Sequence, residues 1–108
     1  MRPVNLLRNL PHEADEVFEA LLERPGLRIE RIVSRGQVTP TGEWLSESTG
    51  EWVALIQGEA RLEFASETTE TYLTRGDCLY IPPGTRHRVN MTSKSPPAVW
   101  LAVHLEES

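Results

Sequence analysis

The sequence predicts an all-β fold, a two-sheet barrel of the jelly-roll type, with one short helix before it. Three observations carry this prediction: many short strand-like runs, turn residues between those runs, and a single helical pattern near the start. Strand candidates without intervening helices are typical of sandwiches and barrels and not of α/β units. A chain of 108 residues has room for one domain, which we assign to residues 1–108.

The helical pattern covers Pro11 to Arg24. Apolar side chains recur there at positions i, i+1, i+4 and i+5, which would place them on one face of a helix. Acidic residues in the first turn suit the positive end of the helix dipole, and Pro25-Gly26 would end the helix. We therefore expect a helical lead-in over residues 1–25 and a β-barrel over residues 26–108. The apolar residues of the pattern are Val17, Phe18, Leu21 and Leu22.

Strand candidates follow one another at short intervals from Leu27 onwards. Most have alternating or continuous β-branched and apolar residues, and the segments between them contain Gly, Pro or both. A double-sheet jelly roll protects the edges of this many short strands. The candidates are Leu27–Ser34, Gln37–Val38, Trp52–Gln57, Ala60–Phe64, Thr71–Leu73, Cys78–Ile81, His87–Thr92 and Val99–Leu105.

Composition and charge exclude several kinds of partner. The chain is 39% hydrophobic and 25% charged, as soluble globular proteins are. A formal net charge of −5 without a basic cluster argues against nucleic acid and against an anionic membrane surface, and no apolar run is long enough to span a membrane. The single cysteine, Cys78, cannot form an internal disulfide and suits a reducing compartment. We expect a cytoplasmic protein.

His87 is the most informative candidate site residue. It follows the turn Ile81–Gly84 (IPPG), in which proline fixes φ and glycine accepts a positive φ. Alternation on the next strand places His87 on the same face as Val89 and Met91, so we expect it to point into the barrel. An interior histidine is either a hydrogen-bonded core residue or a ligand.

The segment Gly76–Val89 (GDCLYIPPGTRHRV) resembles the second conserved motif of the cupin superfamily, Gly-x5-Pro-x-Gly-x2-His-x3-Asn. Its Gly, Pro, Gly and His stand at the motif spacing. Met91 occupies the last position, where the motif has Asn. The resemblance implies a jelly-roll barrel with His87 at an interior site.

The first cupin motif, Gly-x5-His-x-His-x3–4-Glu-x6-Gly, is present only in its second half. Glu51 and Gly58 match the Glu-x6-Gly spacing. The two histidine positions fall on Leu45 and Glu47 with a three-residue gap, or on Trp44 and Ser46 with a four-residue gap. The chain therefore departs from the motif where most cupins have two metal-binding histidines.

The whole chain is similar to a group of small bacterial cupins. The resemblance rests on the segments NLLRNLP, RIERIVSRGQVTPTGEW, EWVALIQGEARLEF, GDCLYIPPGTRHRV and VWLAVHL. Members of the group tend to have Trp-Tyr-Asp-Gln where this chain has Trp44–Glu47 (WLSE), so the group also lacks the two histidines. The resemblance implies a homodimer, for which the exposed face of Leu27–Ser34 is the candidate contact.

The resemblance also implies that Glu47, Glu51 and His87 surround one interior point. One histidine with one or two carboxylates could hold Fe(II), Mn(II), Ni(II) or Zn(II), with water completing the shell. His104 would join them only if it faced inward, and the pattern favours Leu101 and Val103 for the core face of that strand. Alternatively, Glu51 hydrogen-bonds to His87 or to a nearby hydroxyl group without a metal.

Two functions are consistent with such a site. One is a divalent-metal centre, possible in an enzyme acting on a small molecule. The other is binding or sensing of a small organic ligand without metal, in a homodimer. The sequence identifies neither a catalytic residue nor a residue that binds an organic cofactor.

Overall fold

The computed structural model describes residues 1–107 and folds into two antiparallel β-sheets that enclose a common core. The five-stranded sheet has the order β1-β2-β8-β3-β6, and the three-stranded sheet has the order β5-β4-β7. The all-β prediction is confirmed, since strands make up about half of the chain. The strands are β1 Val17–Arg24, β2 Leu27–Ser34, β3 Gly50–Gln57, β4 Ala60–Phe64, β5 Thr71–Leu73, β6 Cys78–Ile81, β7 His87–Thr92 and β8 Ala98–Leu105.

The predicted helix is wrong. Residues 1–25 contain no helix, and the second half of the predicted segment is β1, an edge strand that pairs with β2 from Val17↔Val33 to Arg24↔Leu27. Pro25 and Gly26 form the two-residue hairpin turn between these strands, with Gly26 at φ +75°, as a turn with proline followed by glycine requires. Within residues 1–107, no helix is long and apolar enough to cross a membrane.

The predicted strands after Gly26 match the structure except in one place. Gln37–Val38 lies outside the strands. The following loop pairs with the three-stranded sheet instead, because the Leu45 N–H donates to the His87 carbonyl at 2.7 Å and the His87 N–H donates back at 3.0 Å. This backbone bridge fixes the loop that carries Trp44 and Glu47 beside β7.

The core lies between the two sheets. Alternate residues of β3 and β8 point towards β4 and β5, because successive side chains of a strand lie on opposite faces. Leu55, Leu62, Leu73, Trp100 and Ala102 are among the buried residues of this core. The strand orientations that bury these residues also determine which polar side chains face inward.

The N-terminal segment packs on the outer face of the five-stranded sheet. Arg31 on β2 is buried there and pairs with Glu19 at 2.7 Å. Its guanidinium also donates to the carbonyl oxygens of Leu6 and Arg8 at 3.1 and 3.0 Å. Residues 6–8 therefore cover part of the face that the sequence analysis assigned to a subunit contact.

Candidate functional site

A cavity of about 540 Å³ lies between the two sheets. Its volume is within the range of small-molecule sites in proteins. On the five-stranded sheet, Glu30, Glu51 and His104 line it towards one end of their strands, and the apolar side chains come from positions further along the same strands. The apolar lining includes Ile32, Val53, Leu62, Ile81, Val89 and Trp100.

His87 opens β7 and lies on the cavity face with Val89, as its strand pattern predicts. The side chain is only 5% exposed. Its Nδ1 lies 2.9 Å from the Thr85 carbonyl oxygen, and because a carbonyl can only accept, Nδ1 carries the proton. Among residues 1–107, every fully buried side-chain nitrogen or oxygen has a partner. Because the Nε2 atom of His87 has no such partner, it is not fully buried, and its lone pair is open to the cavity.

Glu51 is the second residue of β3, between β6 and β8, where it pairs with Ile81 and His104. Its side chain is partly buried and lines the cavity. Burial raises the pKa of Glu51 above its usual value of 4.5, and the nearby charges of His104 and Glu47 act in opposite directions on it. Glu51 is thus a carboxylate that the fold places in an unfavourable environment.

Glu47 lies in the exposed loop before β3 and also lines the cavity. The N–H of Gly84, in the turn before β7, donates to the Glu47 carbonyl at 2.8 Å. The structure thus brings Glu47, Glu51 and His87 to the wall of a single cavity, although they come from a loop and from two different sheets.

His104 also lines this cavity, so the prediction that it faces away was wrong. The buried inner positions of β8 are Ala98, Trp100 and Ala102, and His104 continues that series. Leu101 and Val103 point to the outer face. Since Val99 is fully buried as well, both faces of β8 are apolar and the sequence pattern did not reveal the strand's orientation.

The sequence analysis did not identify Glu30 as a site residue. This side chain is 6% exposed, accepts a hydrogen bond from His104 Nε2 at 2.8 Å and pairs with Arg28 Nη2 at 2.9 Å. The only signal in the sequence was an acidic residue within a β-branched run, and alternation on β2 would have placed it on the face opposite Ile29.

Within residues 1–107, these side chains are not grouped as the ligands of a metal ion. The Nε2 atom of His104 is engaged by Glu30, whereas the hydrogen bond of the His87 ring uses its Nδ1 atom. No three His, Cys, Asp or Glu side chains in residues 1–107 are grouped as metal ligands are. The arrangement presents hydrogen-bond acceptors to the cavity without forming a coordination shell.

Trp44 and Trp52 have different positions relative to the cavity. Trp44 lines the cavity, and the guanidinium groups of Arg86 and Arg88 lie 5.3 and 5.9 Å from its ring centre. Trp52 alternates with the inward residues Glu51 and Val53, so it lies on the outer face of the sheet. Of these two residues, Trp44 is therefore the one positioned to contact a bound molecule.

Comparison with known proteins gives a family and close structural relatives. The family model of the cupin domain matches residues 33–104. A crystal structure from Ralstonia eutropha JMP134, named "putative mannose-6-phosphate isomerase", is 42% identical, with a TM-score of 0.94 over 99% of this chain and 100% of that chain. No protein with a curated function matches the sequence significantly.

More distant structures share the fold. A cupin superfamily protein of Desulfitobacterium hafniense DCB-2 is 18% identical with a TM-score of 0.79, covering 98% of this chain and 92% of that one. An RmlC-like cupin family protein of Methanocaldococcus jannaschii, described as a double-stranded β-helix, is 19% identical with a TM-score of 0.71, covering 97% and 90%. The jelly-roll prediction agrees with these neighbours.

Proposed function

The chain belongs to the cupin family, and we propose that it is a cytoplasmic protein that binds a small organic molecule in the cavity between its sheets. The observation that carries this proposal is the cavity itself: about 540 Å³, mostly apolar in its lining, with Glu51 and His87 presenting free acceptors to it. Sites for small molecules combine these features, since apolar walls supply affinity and a few polar groups fix the orientation.

The name of the Ralstonia relative suggests a phosphosugar isomerase. A phosphate group needs cationic side chains or a cluster of backbone N–H groups. The cavity is lined by no Lys or Arg from residues 1–107, whereas it is lined by five glutamates. We therefore do not extend that activity to this chain.

The proposal is tested by thermal unfolding in the presence of small amines, alcohols, carboxylates and phosphate esters. A compound that binds the folded state raises the melting temperature, by several degrees when it is present far above its Kd. His87→Phe, which removes Nε2 and keeps an aromatic ring, should weaken the effect. His12→Phe alters an exposed histidine outside the cavity lining and should leave it unchanged. A lack of stabilisation by every compound would contradict the proposal.

Metal binding is the second candidate function, and the His87 tautomer favours it. A ligating histidine usually donates its other ring N–H to a carbonyl or carboxylate, as Nδ1 does here to Thr85. Glu51 and Glu47, which line the same cavity, are the candidate carboxylate ligands, and the ion would be Fe, Mn, Ni or Zn. Elemental analysis after growth in metal-rich medium tests this: about one ion per chain, lost in His87→Phe and kept in His12→Phe, would support it.

We also propose that two copies pair through the outer face of the five-stranded sheet. Ile29, Val103, Trp52 and Tyr80 are cross-strand neighbours in one apolar row there, and Tyr80 is 42% exposed. An exposed apolar row of this kind is typical of a contact surface. Light scattering should give twice the chain mass, Trp52→Glu should halve it, and Tyr72→Glu on the other sheet should not. A monomeric wild-type chain would reject the pairing.

A further inference from the structure

We infer that the ligand of this cavity is a small organic cation, an amine attached to a compact apolar body. The inference rests on the proposed small-molecule function and specifies the class of ligand. It follows from three features of the cavity: the sign of its charged groups, the hydrogen-bonding character of its free polar atoms, and the position of its apolar side chains.

The charged groups of the cavity lining are predominantly acidic. Five glutamates line it, and no lysine or arginine among residues 1–107 does so. Opposite charges attract each other more strongly in a partly buried environment than in water, and like charges repel each other more strongly there. The cavity therefore favours a cation over an anion of the same shape. The glutamates are Glu16, Glu30, Glu43, Glu47 and Glu51.

The nearest arginines do not reverse this preference. Arg28 pairs with Glu30 at 2.9 Å. Arg88 donates to the carbonyl oxygens of Thr39 and Glu43 at 3.0 and 3.2 Å and to the Asn90 side chain at 2.8 Å. Arg86 is exposed and lies over the Trp44 ring. None of the three belongs to the cavity lining, so an anion inside it would have no charged donor.

The free polar atoms of the cavity accept hydrogen bonds. His87 is only 5% exposed. Its Nδ1–H donates to the Thr85 carbonyl oxygen, which leaves Nε2 as an acceptor. Ionised carboxylates of Glu47 and Glu51 can only accept. A ligand that matches acceptors from two sheets and a loop must donate several hydrogen bonds, and an ammonium group donates three.

The apolar side chains determine the rest of the ligand. Val53 lies on β3 beyond Glu51, and Trp100 lies on the antiparallel β8 before His104, so both are displaced from the acidic end in the same direction. Leu62 and Val89 line the cavity from the three-stranded sheet. A ligand with its amine at the glutamates would place a hydrocarbon ring or short chain against these residues. A cavity of this volume accommodates a compact molecule of that type.

The test uses four compounds that share a ring and differ in charge: benzylamine, benzyl alcohol, benzoate and phenyl phosphate. Their Kd values for the full chain are measured by NMR titration at neutral pH, where the amine is protonated. We expect benzylamine to bind at least about ten-fold more tightly than the alcohol, and benzoate and phenyl phosphate to bind more weakly than the alcohol. Butylamine, butanol and butyrate repeat the comparison with a chain.

Charge variants locate the preference. Glu51→Gln and Glu47→Gln should each reduce the ratio of alcohol Kd to amine Kd several-fold. Glu67→Gln changes the net charge equally at an exposed turn outside the cavity lining and should leave the ratio unchanged. A ratio that Glu67→Gln reduces as much as Glu51→Gln does would show attraction by the whole protein and would overturn the inference.

The outcomes separate the inference from the function on which it rests. If the alcohol, benzoate or phenyl phosphate binds as tightly as the amine, the cavity binds small molecules and the cationic class is wrong. If none of the compounds binds, both the cationic class and the proposed function fail. Tighter binding of both amines, sensitive to Glu51 and not to Glu67, supports both.

Discussion

Glu30 and Glu51 lie on the inner face of the same sheet, but their surroundings differ. Both oxygens of Glu30 are engaged, one by His104 at 2.8 Å and the other by Arg28 at 2.9 Å. No hydrogen bond or ion pair at 4.0 Å or less involves the Glu51 carboxylate within residues 1–107, and burial raises its pKa. Two carboxylates on strands separated by β8 alone are thus expected to affect the stability of the fold in opposite directions.

The difference predicts which of the two groups stabilises the fold and which is available to a molecule in the cavity. A buried charge with complete partners holds its neighbours in place, and removing it leaves those partners unsatisfied. A buried carboxylate without partners costs stability, and such cost is typical of functional sites. On this comparison we expect Glu30, with His104, to stabilise the fold, and we expect Glu51 to remain available for a ligand.

The largest effect is expected from Glu30→Ala. The substitution leaves the largely buried His104 and one end of Arg28 without their acceptor, so we expect the free energy of unfolding to fall by about 2–3 kcal/mol. Urea unfolding of the variant beside Glu67→Ala, an exposed acid, measures the difference. A loss below about 0.5 kcal/mol would mean that the Glu30 pairing is not a structural element.

A change of opposite sign is expected from Glu51→Gln. Because the folded pKa of Glu51 lies above 4.5, the folded state binds the proton more tightly than the unfolded state. The contribution of this carboxyl to the free energy of unfolding is fully present below pH 4.5 and is lost as the pH rises through its folded pKa. The variant should therefore be more stable than wild type at neutral pH, by less than the loss at Glu30.

The pH dependence of that difference provides the measurement. Melting temperatures of wild type and Glu51→Gln, recorded from acidic to neutral pH, should coincide below pH 4.5 and separate above the folded pKa. Glu67→Gln provides the control for a simple change in net charge. A variant that is less stable at pH 7 would show that Glu51 has structural partners after all.

The smallest effect is expected from Arg28→Ala. The Arg28 side chain is 50% exposed, so solvent screens its pairing with Glu30, and pairs of this kind contribute about 0.2–1 kcal/mol. The loss should shrink in concentrated salt, whereas the loss in Glu30→Ala should persist. A loss in Arg28→Ala equal to that in Glu30→Ala would assign the stability to the arginine pair and not to His104.

Most strands could be predicted from the sequence because their signals are local. Ala60–Phe64, Thr71–Leu73 and Cys78–Ile81 are bounded by turn residues and match the structure at both ends. The N-terminal helix was wrong because the register of β1 shifts between Ala20 and Leu22. The irregularity lets the strand accommodate the adjacent Leu21 and Leu22, whose spacing from Val17 and Phe18 is also that of one helix face. Only the long-range pairing with β2 distinguishes the two structures.

The site could be predicted in part. Alternation correctly oriented His87 with Val89, since polar and apolar residues alternate at the start of β7. It failed for His104, whose strand is apolar on both faces. Glu30, the hydrogen-bond partner of His104, lies 74 residues away in the sequence, and no local pattern predicts a contact over that separation.

The bridge between Leu45 and His87 separates two tasks within one residue. The backbone of His87 holds the 45–47 loop through hydrogen bonds of 2.7 and 3.0 Å, and its imidazole faces the cavity. Any residue other than proline can make both backbone hydrogen bonds, so the side chain at this position can change without loss of the loop's attachment. Proline at this position would remove the hydrogen bond that the His87 N–H donates to the Leu45 carbonyl, and it is the substitution that we expect homologues to avoid.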